Sequence, residues 1–308
     1  MPTVRALASP ASLKGVLSAR AAAGALAQGL RTWAEADELP VADGGEGTLE
    51  ILHAALGGEW HEAAVHDAFG RERRALWLAV NGDALLESAE AIPLDPRRLD
   101  PFAASSRGLG ELIASVGTPR SLEIFLGGTA TVDGGAGLRD VIDRLPAPTT
   151  VLCDVDAPLL DAARVFAAQK GAARADVARL EERLRAMPEL APVARVAGAG
   201  AAGGIGAALA ALGATLVPAA ERVLDLIGFD PSSYKLVVTG EGTVDATTMR
   251  GKAPGTVVRR CAAAGVECVL FGGRVEEAPR GVRTVALSGE PARAHSDLVE
   301  LGRSLRPR

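Results

Sequence analysis

The stretch VVTGEGTVDATTMRGKAP, residues 237–254, passes from an apolar run into glycines alternating with acids and then into a lysine set between Gly251 and Ala253. Its first half reads as a buried parallel strand. The glycine-acid segment reads as the loop leaving that strand's carboxyl end, and APGTVVRRCAAAG reads as the helix that follows. Strand, glycine turn, helix is the unit of a doubly wound α/β sheet, in which ligands bind beyond the carboxyl ends of the strands.

The same unit recurs on both sides. TVRALAS (3–9) reads as a strand, and Ser18 is placed to cap a helix carrying Leu26, Leu30 and Trp33 on one face. LPVA (39–42) then leads through DGGEG into TLEILHAAL. After residue 218 the alternation resumes: AAERVLDLIG is helical, YKLVVTG, VECVLFGG and VRTVALSG are strands, and ARAHSDLVELGRSL is a last helix. Between these blocks the pattern changes. WHEAAVHD, RRALWLAV and ALLESAE read as antiparallel strands, with a hairpin turn at Asn81-Gly82. A helix near 105–116, the strands SLEIFL and TTVLCDV, and a charged helix with Val177, Leu180, Leu184 and Met187 on one face follow. The expected architecture is α/β: a flavodoxin-like doubly wound parallel sheet domain, residues 1–57 and 218–308, interrupted by an inserted α/β domain, residues 58–217.

The 308-residue chain is long enough for two cores, and its net charge of -5, with no basic stripe carrying aromatics, argues against a nucleic-acid partner. No run is long enough to span a bilayer and the N-terminal residues do not read as a signal peptide, so the expected location is the cytoplasm, away from membranes. Three cysteines without a C-x-x-C pair speak against a disulfide framework or a structural zinc site.

Four glycine-rich loops follow apolar runs: DGGEGT (43–48), GGTATVDGGAG (127–137), AGAGAAGGIG (197–206) and TGEGTVD (239–245). Glycine lets backbone N–H groups approach anionic oxygens, and neighbouring carboxylates can hold magnesium. Each loop taken alone can also be an ordinary corner. Gly198, Gly200 and Gly203 spell G-x-G-x-x-G, but late in the insert and after a weak strand, and Ala246 breaks a Walker A pattern before Gly251-Lys252. Among 33 basic residues only Lys14, Lys170, Lys235 and Lys252 are lysine, and three of them touch a glycine. A compact ammonium and a broad guanidinium are not interchangeable at a tight phosphate site. Lys14, Lys170 and Lys252, the three beside glycine, are therefore the notable lysines. Asp43, Glu46, Asp133, Glu241 and Asp245 stand among these glycines, where a carboxylate can hold magnesium, and four such loops in one chain favour a polyanion site.

Taken in order, SLKGVLSA (12–19), PVADGGEGT (40–48), GGTATVDGGAG, CDVDAPL (153–159), QKGA, GAGAAGGIG and TGEGTVDATTMRGKAP resemble the type I glycerate kinases along nearly the whole chain. The resemblance implies a flavodoxin-like domain interrupted by a second α/β domain, with the active site in the cleft, and phosphorylation of glycerate by ATP with Mg2+ to give 2-phosphoglycerate. It implies Lys14, Lys252, Asp133 and Asp245 as catalytic residues; Ser12, Asp43, Arg71, Gly128 and Thr129 as substrate contacts; Gly198, Gly200, Gly203, Gly204, Lys170 and Gly240 at the nucleotide; and Asp43, Glu46 and Glu241 at the metal. Arg71 in DAFGRE reads equally as a surface turn residue. The chain departs from the family pattern at Ala11, where an aspartate is usual, at Thr243, where an arginine is usual, and near Val132 and Ala157, where asparagines are usual. Two rival readings stay open: a non-catalytic or altered-specificity nucleotide-binding relative, and an NAD-dependent oxidoreductase using the 198–203 glycines. A homodimer is likewise left open.

Overall fold

A computed structural model describes residues 4–306; Thr3, the first residue of the expected N-terminal strand, lies outside them. In chain order the strands are β1 (Arg5–Ala8), β2 (Glu35–Glu38), β3 (Glu59–His66), β4 (Glu72–Val80), β5 (Asp83–Glu87), β6 (Leu122–Leu126), β7 (Thr149–Cys153), β8 (Thr215–Pro218), β9 (Leu236–Val244), β10 (Glu267–Val275) and β11 (Arg283–Ala286). The chain divides into two compact units, Met1–Asp43 with Val223–Arg308, and Gly44–Arg222.

The first unit is a parallel sheet in the order β2-β1-β9-β10-β11. Renumbered within the unit this is 2-1-3-4-5, the flavodoxin-like order, whose switch point lies between β1 and β9. β1 and the first half of β9 are buried apolar runs because helices cover both faces. Ser18 caps helix Ala19–Leu30 by accepting the Ala21 N–H. That helix packs on helix Ala294–Ser304 so closely that a Cβ on Gly29 would lie 2.1 Å from the Val299 carbonyl oxygen. Leu26, Leu30, Val238, Phe271 and Leu298 form the core between the two helices and the sheet. On another side, Val258 of helix Ala253–Ala264 packs with Val244 and Leu270.

The second unit carries a sheet in the order β3-β4-β5-β6-β7-β8, antiparallel from β3 to β5 and parallel from β5 to β8. Asn81 and Gly82 both have positive φ, 50° and 89°, as the two-residue hairpin expected from the sequence requires. Leu86, Leu109, Ile113, Ile124, Val151 and Ile205 lie at the centre of its core.

Three expectations are corrected. The strand placed at LPVA lies earlier, at Glu35–Glu38; its residues EADE carry no apolar run because β2 is an edge strand and all but Ala36 are exposed. Residues 215–218 form β8, an edge strand ending in Pro218 and too short to stand out from the chain around it. The boundaries fall at 43 and 223 rather than at 57 and 218. Helix Thr48–Leu56 belongs to the second unit because it packs on β4 and β5 and because Glu87, at the end of β5, accepts the N–H groups of Gly47 and Leu49.

Candidate functional site

In the first unit the loops leaving β1 and β9 meet at the switch point. Ala11 donates its N–H to the Gly240 carbonyl at 2.9 Å, and Ser9 donates its N–H to Val238 at 2.8 Å. The backbone at Lys14 runs beside Gly242, whose added Cβ would sit 3.6 Å from the Lys14 nitrogen. Gly240 has no room for a side chain, since a Cβ there would lie 2.3 Å from the Phe271 carbonyl oxygen. Gly240 thus shapes the floor on which Ser12 and Lys14, both exposed, are presented.

Lys252 is the N-cap of helix Ala253–Ala264, following the left-handed Gly251. This position opposes local preference. N-caps favour short acceptor side chains, and a cation meets the positive end of the helix dipole. Carboxylates offset the conflict: the Lys252 ammonium lies 3.2 Å from Glu241 Oε2 and 3.7 Å from Asp245 Oδ1. Thr248 donates its hydroxyl to the other Glu241 oxygen at 2.7 Å, and Thr247 donates both N–H and O–H to Asp245. Burial pushes the Glu241 carboxyl above its ordinary range, with Asp43 adding to the rise while Thr248 and Lys252 oppose it. The Thr247 hydroxyl holds the Asp245 carboxyl below the usual range. Asp43 has no side-chain hydrogen bond or ion pair among the described residues. An open concavity of about 270 Å³ adjoins Asp245, with Met249, Pro279 and Val282 as apolar walls and Glu277 and Arg280 as charged ones. One end of one sheet therefore joins two lysines, three carboxylates and a helix N-terminus, an arrangement suited to anionic oxygens and a divalent ion.

The second unit holds the remaining candidates. Asp133 is 1% exposed, and its carboxylate accepts the Ser106 N–H and hydroxyl at 2.8 and 2.7 Å and the N–H groups of Gly135 and Gly137 at 3.0 and 3.2 Å. Three of these donors converge on Oδ2 and one on Oδ1, so Asp133 anchors the 133–137 loop to Ser106. Gly198, Gly200, Gly203 and Gly204 are filled by the protein itself. A Cβ would lie 2.8 Å from Cys153 Sγ at Gly198, 2.6 Å from the Pro158 carbonyl at Gly200, 2.0 Å from the Thr131 carbonyl at Gly203, and 2.8 Å from Gly134 Cα at Gly204. Gly203 and Gly204 allow the 198–206 loop to pack against the 127–137 loop, and Gly198 and Gly200 allow it to pack against Cys153 and Pro158. The motif also follows the 3-10 segment Pro188–Val193 instead of a strand, so the NAD reading lacks the context it needs.

Lys170 is 3% exposed and donates to the Thr131 carbonyl at 2.7 Å and to the Thr129 hydroxyl at 3.3 Å. Two of the three ammonium donors are thereby engaged inside the unit. Burial pushes the Lys170 ammonium down to about 8 from 10.5, with Asp154 and Asp133 opposing the fall. A base depressed in the folded state binds its proton less well there than in the unfolded chain. The associated stability is therefore complete above 10.5 and is lost as pH falls through about 8. In chemical denaturation the wild type is expected to gain on the order of 3 kcal/mol relative to Lys170→Met across that interval. Parallel stability curves for the two proteins would contradict this account of Lys170.

Gly128 is exposed at φ 65°, and its carbonyl accepts the Leu94 N–H. Arg71 is exposed in a turn whose Asp67 carboxylate accepts the Arg71 N–H at 2.9 Å, in keeping with the surface-turn reading. Glu46 is exposed in the second unit, while Asp43 and Glu241 belong to the first. Glu87 was not singled out from the sequence. An acid closing the strand ALLE, where an apolar residue is ordinary, was the available signal.

A flavodoxin-like parallel unit with a charged switch point, joined to a mixed-sheet insert, defines the class: a two-unit α/β protein. Comparison with known proteins gives the family. The model of the glycerate kinase family matches residues 6–144 and 139–290. Escherichia coli (strain K12) glycerate 2-kinase is 34% identical over 309 residues, covering 80% of this chain and 79% of its own. Bacillus subtilis (strain 168) glycerate kinase is 32% identical over 310 residues, covering 82% and 80%. The crystal structure of a candidate glycerate kinase 2 from Salmonella typhimurium LT2 superposes with a TM-score of 0.79 at 29% identity, covering 98% of this chain and 97% of that one. The chain belongs to the glycerate kinase family. Among the described residues no helix is long and apolar enough to cross a membrane.

Proposed function

We propose that this chain transfers the γ-phosphoryl group of ATP to a hydroxyl of glycerate, forming 2-phosphoglycerate and ADP in the cytoplasm. The observation that carries the reading is Lys252 at a helix N-terminus, clamped by Glu241 and Asp245 beside the loop that bears Lys14. Phosphoryl transfer depends mainly on positioning and charge neutralisation. Lys252 and the first amides of its helix meet the transferring phosphate, and Lys14 closes over it from the β1 loop. The substrate hydroxyl oxygen bonds to the γ-phosphorus as the bond to the bridging oxygen of ADP breaks, and the hydroxyl proton passes to a carboxylate. Asp43 suits that role, being the one of the three carboxylates not held by a side-chain donor. Ser12 is proposed as a further glycerate contact.

Mg2+ takes one or two carboxylates together with phosphate oxygens, and it needs no cage made by the protein alone. Among the described residues no group of three or more His, Cys, Asp or Glu forms such a cage, while Glu241 and Asp43 are close enough to interact electrostatically. That donor set fits a shared Mg2+, which would neutralise phosphate charge. The concavity beside Asp245, with its Met249, Pro279 and Val282 walls, suits the adenosine portion. Ala11 and Thr243 replace polar side chains usual in the family. Their positions, on the Gly240 floor and opposite Arg274 in β10, favour as second reading a relative with altered acceptor specificity.

ADP release measured with glycerate, with other small hydroxy acids and with no acceptor tests both. Fastest release with glycerate supports the proposal. Release driven by a different acid supports the second reading, and release independent of any acceptor contradicts both.

A further inference from the structure

The DGGEGT loop looks like a phosphate cradle in sequence, yet an anion of the chain already occupies its amides. Gly44 and Gly47 both have φ 88°, and Gly47 is the N-cap of the nine-residue helix Thr48–Leu56 with no side-chain cap of its own. From the end of β5, Glu87 supplies what the cap lacks. Its carboxylate accepts the Leu49 N–H at 2.6 Å and the Gly47 N–H at 3.3 Å. Thr48 folds the loop back by donating its hydroxyl to the Gly45 carbonyl at 2.6 Å. The loop is also wedged: a Cβ on Gly127 would lie 2.8 Å from the Gly44 oxygen, and one on Gly44 would lie 2.8 Å from the Ala219 Cβ. Glu87 is 3% exposed, and no cation is hydrogen-bonded to it among the described residues. Burial pushes its carboxyl up to about 7, the Leu49 and Gly47 amides oppose the rise, and Glu90 adds to it. Burying an unpaired carboxylate is unfavourable for stability, and amides at a helix start are the partners that most readily offset it.

We propose that Glu87 is the positioning residue of the 44–48 loop: its carboxylate sits on the first amides of helix Thr48–Leu56 where a ligand phosphate would otherwise bind. The loop therefore presents Glu46, and Asp43 one peptide bond upstream of Gly44, without itself holding phosphate. The link to Asp43 rests on the kinase reading; the seat of the carboxylate does not.

Formate carries the same carboxylate and is small enough to enter the space that Glu87→Ala opens. Melting of the wild type and E87A is compared in sodium formate, sodium phosphate and sodium chloride at equal ionic strength. Formate or phosphate is expected to restore at least half of the melting temperature that E87A loses, with no shift in the wild type. In the same buffers, ATP turnover with glycerate is expected to fall about tenfold in E87A, with the nucleotide KM unchanged, and to recover with formate; full misplacement of a reacting group costs more. For a variant that keeps the side-chain volume, amide hydrogen exchange at Leu49 in Glu87→Gln is expected to be at least about tenfold faster than in the wild type, as the loss of a charged acceptor predicts. Formate-insensitive E87A, or unchanged Leu49 exchange in E87Q if E87A does not fold, overturns the proposal. A wild type inactive toward glycerate overturns the kinase reading instead, while melting and exchange still decide the role of Glu87.

Discussion

Asparagine in place of Asp43 is expected to lower kcat with glycerate by about a thousandfold, the middle of the range for losing a positioned general base. The substitution keeps the size of the side chain and removes its negative charge together with the ability to take up a proton. Asp43 is the last residue of the first unit and couples electrostatically to Glu241. Its neighbours Glu241 and Asp245 are held by Thr248, Lys252 and Thr247, and their substitution disturbs the lysine clamp as well as the chemistry. Asp43→Asn is therefore the cleaner probe. Melting temperature and ATP affinity in the absence of Mg2+ are expected to stay close to wild type, and a kcat within tenfold of wild type at saturating Mg2+ in steady-state assays would remove Asp43 from the base role.

Arginine at Lys252 is expected to lower kcat about a hundredfold, near 3 kcal/mol, although the charge is kept. A lysine at an N-cap gives up a favourable cap and faces the helix dipole, and the clamp between Glu241 and Asp245 is shaped for a compact ammonium. A guanidinium there either displaces the carboxylates or projects past them. Lys235→Arg is the control. Lys235 is exposed just before β9, and its backbone N–H is donated to the Arg5 carbonyl. If the two variants turn over alike and melt alike, Lys252 is a surface charge at a helix start and the phosphate assignment fails.

What the sequence made legible follows from where the physics is local. Strand runs such as Leu236–Val244, the hairpin at Asn81-Gly82 and the Ser18 cap are each encoded within a few residues, and each forms as read. β2 and β8 were misplaced or missed because an edge strand need not be apolar; its pairing comes from β1 or β7, far away in the sequence. The helix Thr48–Leu56 was assigned to the wrong unit for the same reason, since its anchor, Glu87, lies 38 residues beyond Leu49. At the site, scarcity of lysine draws attention to Lys252, which the fold places at a helix N-cap between two carboxylates. It could not separate Lys252 from Lys170, because both sit beside glycine and only the fold shows that Lys170 is buried among Thr129 and Thr131. Glycine loops were the least decisive signal. Gly203 is required by the Thr131 backbone that presses against it, a requirement that looks the same in sequence as an approach to phosphate.

The most direct measurement is the 31P spectrum of a reaction containing enzyme, ATP, Mg2+ and glycerate, followed to completion and repeated with Lys252→Arg. The account predicts a phosphomonoester resonance matching authentic 2-phosphoglycerate, growing in step with ADP, and nearly absent over the same interval with the variant. Phosphate released as inorganic ion, or a spectrum in which ATP stays intact with the wild-type protein, would contradict it.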